Sequence, residues 1–84
     1  MAGMRVGSLI TRGSLRSKIQ TVELRIDEKS TGDEVWILRH TVRNEKGIPD
    51  YGDRSERFIE WAADSLSVTF PIGEHRKITI PLPP

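Results

Sequence analysis

Apolar side chains recur at alternate positions along much of this chain, the period of a strand that turns one face to a core. Val22, Leu24 and Ile26 alternate with Glu23, Arg25 and Asp27. A polar, turn-rich run follows, Glu28-Lys29-Ser30-Thr31-Gly32-Asp33, and then the segment Glu34–Val42. There Trp36, Leu38, His40 and Val42 share one face, with Val35 and Ile37 on the other. Apolar residues on both faces predict a central strand. The two segments read as a hairpin whose register follows from their faces, because a slip of one residue would invert every side chain. Leu24 opposite Leu38 brings Ile26 to Trp36, Val22 to His40 and Glu23 to Arg39. The apolar alignment and an opposite-charge pair thus favour one register.

The C-terminal third repeats the pattern. Leu66, Val68 and Phe70 alternate, Pro71-Ile72-Gly73-Glu74 turns the chain, and Ile78, Ile80 and Leu82 alternate again. Pro81 cannot donate to a ladder, which puts the last strand at a sheet edge. Between the two hairpins, Arg43–Ser55 is the longest break, punctuated by Asn44, Gly47, Pro49, Asp50, Gly52 and Asp53. A loop of that length is the first place to seek a binding surface. Asp53–Leu66 carries two patterns at once. Asp53-Arg54-Ser55-Glu56 fits a capping box, and Phe58, Ile59, Ala62, Ala63 and Leu66 fall on one helical face. Ile59 and Trp61 also alternate with charged neighbours, as in a short strand. The fold expected is mostly β, a small antiparallel β-sandwich with one short helix near Asp53–Ala63. The alternative is an α+β fold with that helix packed on an antiparallel sheet. Leu24, Ile26, Trp36, Leu38, Val68, Phe70, Ile78 and Ile80 are the expected best-buried side chains.

One segment resembles a known family. Trp61 to Leu82, WAADSLSVTFPIGEHRKITIPL, is similar to the closing hairpin of Calx-beta domains, immunoglobulin-like sandwiches of adhesion and exchanger proteins. Ser67-Val68-Thr69-Phe70 resembles the family's first closing strand, Gly73-Glu74 its turn, and Lys77-Ile78-Thr79-Ile80-Pro81-Leu82 its last strand. The resemblance implies an Ig-like sandwich, and hence a binding or structural module. It carries over no calcium ligands, because the chain has no acid after Glu74 where that family places some.

Composition narrows the picture. Eighty-four residues make one domain, and 36% apolar residues with five aromatics make its core lean. The absence of cysteine excludes disulfides, thiolate zinc sites and a cysteine nucleophile. No apolar run is long enough for a membrane span, and no signal-peptide core follows the start, so the expected location is the cytoplasm or a particle assembled there. The opening Met1-Ala2-Gly3-Met4 leaves either methionine as a natural start, and residues 1–4 are expected to be disordered or held only by a partner. The net charge of +1 hides a basic, acid-free stretch over residues 1–20 holding Arg5, Arg12, Arg16 and Lys18. Residues 1–16 therefore read as a basic Gly/Ser-rich arm or as a first strand around Arg5–Thr11, and 17–84 as the single β-rich domain.

Candidate chemistry is sparse. His40 and His75 lie in separate segments with no ligand spacing, and no serine sits in a nucleophile-elbow pattern. Asp50, Asp53, Glu56 and Glu60 cluster, but Arg54 and Arg57 interleave with them as in a solvated, partly paired surface. The reading is of no enzyme, cofactor or metal site. It points to a structural or protein-binding module, self-associating or docking on a larger assembly such as a viral particle. Trp61, Pro49, Asp50 and Tyr51 are its candidate interface residues. The alternative is a small nucleic-acid binder contacting phosphates through Arg5, Arg12, Arg16, Lys18, Arg39 and Arg43.

Overall fold

A computed structural model describes residues 5–13, 18–43 and 47–83. The expectation for residues 1–4 and the candidate contact Arg16 lie outside them. Among the described residues, six strands form two antiparallel sheets. The first holds β1 (Arg5–Arg12), β2 (Ile19–Glu28) and β3 (Glu34–Arg43) in that order. The second holds β4 (Glu60–Trp61), β5 (Ser67–Pro71) and β6 (Lys77–Pro81) in that order. A 3₁₀ segment, Gly52–Phe58, links them. The basic N-terminal stretch is therefore a strand over Arg5–Arg12, paired along its length with β2.

The hairpin register is the one the faces dictate: Leu24 pairs with Leu38, Ile26 with Trp36, Val22 with His40 and Glu23 with Arg39. Past Ile26 the register shifts, Asp27 pairing with Glu34, so β3 carries one extra residue there. Gly32 supplies the positive φ, 75°, that the connecting turn needs, and its amide donates to the Glu28 carbonyl at 2.7 Å. β3 is not central. The central strand is β2, and β3 lies at the edge with both of its faces apolar. β6 is an edge strand, as its proline requires, and pairs Val68 with Ile80 and Phe70 with Ile78.

One apolar cluster draws on both sheets: Leu9, Val22, Leu24, Ile26 and Val42 from the first, Val68 and Phe70 from the second, with Tyr51, Ile59 and Ile72 from the segments around them. Four of the eight expected core residues, Leu24, Ile26, Val68 and Phe70, are fully buried. Trp36, Leu38, Ile78 and Ile80 are only half-buried, because edge strands are covered from fewer sides. Leu9 and Ile72 complete the core from places read as an arm or first strand and as a turn.

The predicted capping box does not form. The 3₁₀ segment starts after Tyr51 with no side-chain cap, and its helical angles break at Arg54. Ile59 and Glu60-Trp61 leave it as extended chain, with Trp61 paired to Val68. Ala62–Leu66 is a turn in which the Ser65 amide donates to the Ala62 carbonyl at 2.9 Å and the Leu66 amide to Asp64 Oδ1 at 3.0 Å. Leu66 is exposed, so the helical face read across this stretch is absent. A seven-residue helix has little stability of its own, and strand pairing with burial of Ile59 decides the conformation instead.

Candidate protein-binding groove

The first sheet's free edge on the β1 side begins the site. Leu9 donates its amide to the Oγ of Ser55 at 2.8 Å, not to β2. Successive residues of an antiparallel strand send their backbone groups to opposite sides. Leu9, Gly7 and Thr11 therefore aim theirs outward, and Ser8, Ile10 and Arg12 aim theirs at β2. Ser55, only 4% exposed, plugs the edge at Leu9. Beyond that plug Thr11 faces an open groove of about 620 Å³, walled on one side by Leu9, Ile10, Thr11 and Gly13 and on the other by residues 47–52. Gln20 also lines it.

The second wall is held in two places. Tyr51 is buried, donates its hydroxyl to the Pro71 carbonyl at 2.5 Å, and meets Phe58 edge to face with centroids 5.4 Å apart. Burial pushes its phenol up to about 12. Gly47, at φ 72°, runs so close to Glu74 that a Cβ there would lie 2.7 Å from the Glu74 Cβ. Between these anchors Ile48 and Pro49 are half-buried and Asp50 is exposed. The wall thus offers apolar surface and one carboxylate, and the β1 wall offers unpaired backbone groups.

The structure gathers three of the four candidate interface residues here: Pro49, Asp50 and Tyr51. Tyr51 acts there as an anchor of the wall more than as an exposed contact. Trp61 is elsewhere, half-buried against the core, with its ring near Gly7. The basic candidates divide. Arg12 and Arg39 bracket Glu23 at 3.5 and 3.2 Å on the face of the first sheet turned away from the core. Glu23 is only 7% exposed beneath them. Arg43, paired with Ile19, shares that face, and Lys18 lies exposed beside Ile19. Arg5 is at the other end, 3.4 Å from Glu28. The same outer face also exposes Val6, Ile10 and Ile19.

The acidic cluster does not assemble on a helix. Glu60 lies in β4 and meets Lys77 of β6 at 3.1 Å. His40 is half-buried opposite Val22, while His75 sits exposed in the β5–β6 turn beside Glu74. Among the described residues no three His, Cys, Asp or Glu side chains gather to hold a metal ion, and no helix is long and apolar enough to cross a membrane. Sequence reasoning missed Ser55, whose role nothing in the local pattern signals. No protein-family model matches the chain, and no curated protein or solved structure matches it.

Proposed function

We propose that this chain is a non-catalytic protein-binding module, a subunit or docking domain of a larger assembly, built as a small two-layer sandwich. It takes an extended segment of a protein partner as an added strand beside β1. One observation carries the reading: the groove between Thr11 and Gly47–Gly52 lies along the end of the β1 edge, where alternation from Leu9 turns the backbone groups of Thr11 outward. Strand addition draws its affinity from such main-chain groups and its selectivity from pockets for alternate side chains, here lined by Ile48 and Pro49. The groove's volume suits a few residues of peptide. Its lining of Thr11, Gln20, Asp50 and Tyr51 is able to hydrogen-bond and contains no activated nucleophile.

The test is selection of binders from a displayed random-peptide library on the folded domain, followed by titration of the enriched peptides. Thr11→Pro removes an outward amide while leaving the β1–β2 ladder intact, and Asp50→Ala alters the opposite wall. Affinity is expected to fall at least about tenfold in Thr11→Pro, a change worth ~1.4 kcal/mol. Failure to enrich any peptide, or equal binding by the Thr11→Pro variant, counts against the groove. Oligonucleotide binding that weakens steeply with salt and is lost on changing Arg43 would favour the alternative, which rests on Arg12, Arg39 and Arg43 sharing one face. Glu23 already neutralises part of that face, which is why the protein-binding reading is preferred.

A further inference from the structure

β3 is composed like a strand from the middle of a sheet and placed like one at its edge. Its ten residues hold Ile37 on the outer face and Trp36, Leu38 and Val42 on the inner, with no proline or lysine to discourage pairing. Val35, at the register shift, packs against the core rather than outward as the alternation predicts. The backbone polarity set by Leu9 carries through the sheet. Since Leu9 turns away from β2, Leu24 turns away from β1, and Leu24, Val22 and Ile26 bond to Leu38, His40 and Trp36. Ile37, Arg39, Thr41 and Arg43 therefore aim their amides and carbonyls outward. Among the described residues no backbone hydrogen bond meets that edge. From Trp36 to Val42, past the bulge, the edge is regular and largely apolar, and such an edge is a template for another strand.

We propose that the occupant is a second copy of this chain, its β3 paired antiparallel with the first across a twofold axis. This rests on the same general reading of a surface that works by strand pairing, but on a different edge from the groove. Faces must match across the axis, so only registers that place inner residues against inner residues are allowed. Centring the axis on Arg39 would set Arg39 against its own copy, which like-charge repulsion disfavours. Centring it on Leu38 aligns almost the whole strand. Leu38 then meets Leu38 of the second copy, Trp36 meets His40, and Ile37 exchanges main-chain bonds with Arg39. The same register brings Glu34, at the acidic start of one β3, close to Arg43 at the basic end of the other. Such an isologous contact closes on itself and leaves the β1 groove open at both ends of a continuous six-stranded sheet.

Sedimentation across micromolar to millimolar concentration tests the state, and cysteine pairing tests the register. The chain has no cysteine of its own, so introduced thiols report without background. Under mild oxidation the double variant Ile37→Cys plus Arg39→Cys is expected to give a covalent dimer. Each single variant is expected to give several-fold less, because its thiols stand two residues out of register, where a disulfide does not span. A monomer throughout the concentration range overturns the proposal, and so does a dimer in which the single variants cross-link as well as the double. Peptide capture by a strictly monomeric chain would leave the groove standing while removing this dimer. A dimer that captures no peptide would do the reverse.

Discussion

At the scale of single residues, the contacts that look strongest are not the ones that matter most to stability. Glu23 meets two arginines, yet both guanidinium groups are largely exposed, and solvent screens such pairs to about 1 kcal/mol or less. Ser55 makes one neutral hydrogen bond, but removing its hydroxyl would leave the Leu9 amide buried without a partner, at ~1–3 kcal/mol. Ser55→Ala is thus expected to lower the urea midpoint more than Glu23→Gln does. The chain's one tyrosine gives a second test. Its phenol stands at 10.0 when solvated and about 12 in the fold, so the folded form holds the proton more tightly. Tyr51 therefore contributes stability that is fully present below pH 10 and is lost as pH rises toward 12. Absorbance titration should show the phenolate appearing late in folded protein and near 10 in urea. The fall in stability over that window should be smaller in Tyr51→Phe than in the wild type.

At the scale of elements, two glycines permit close approaches that no other residue would. Gly47 combines a left-handed φ with contact against the Glu74 backbone, which cannot swing aside. A Cβ at Gly7 would meet the Ile59 Cδ1 at 2.7 Å, the far end of a side chain rather than backbone. Gly47→Ala is expected to cost more than Gly7→Ala, on the order of 2 kcal/mol against less than ~1. It should also reshape the groove wall, so peptide affinity falls with it, whereas Gly7→Ala should leave peptide binding unchanged. Calorimetry paired with peptide titration separates the two effects. The 3₁₀ segment shows the same priority of packing over propensity: its helical pattern yields to Ser55 reaching the β1 edge and Ile59 entering the core.

At the scale of the whole molecule, one apolar cluster shared by two three-stranded sheets leaves sheet edges that another chain can extend. If β3 pairs with its own copy, folding and association are linked, and the unfolding temperature rises with protein concentration by mass action. Scanning calorimetry over a hundredfold concentration range, roughly, should show that rise in the wild type. Arg43→Glu should reduce it, because that change makes both ends of β3 acidic. A concentration-independent transition would mean that the monomer carries all of its own stability.

Alternation within the chain determined β2 and β3 and their register as far as Ile26, because a period of two leaves a single way to put Leu24, Ile26, Trp36 and Leu38 on one side, but it gave no sign of the shift beyond. It determined the closing hairpin and the edge position of β6 for the same local reasons: alternation and a missing amide hydrogen. Pattern alone did not say which strands would lie at an edge. Val35 and Ile37 read as marks of a central strand, and only the order β1-β2-β3 shows that β3 lies at an edge, while Val35, read onto the outer face, packs against the core beside the register shift. Nor did it say that Leu9 and Ile72 belong to the core, or that Tyr51 ties a loop to Pro71, because each depends on partners more than fifteen residues away or in the other sheet. The loop around Pro49 and Asp50 stood out by composition, but the groove exists only because tertiary packing lays that loop beside the outer edge of β1. A face is written in neighbouring residues. A site built from two distant segments is written only in the way they pack.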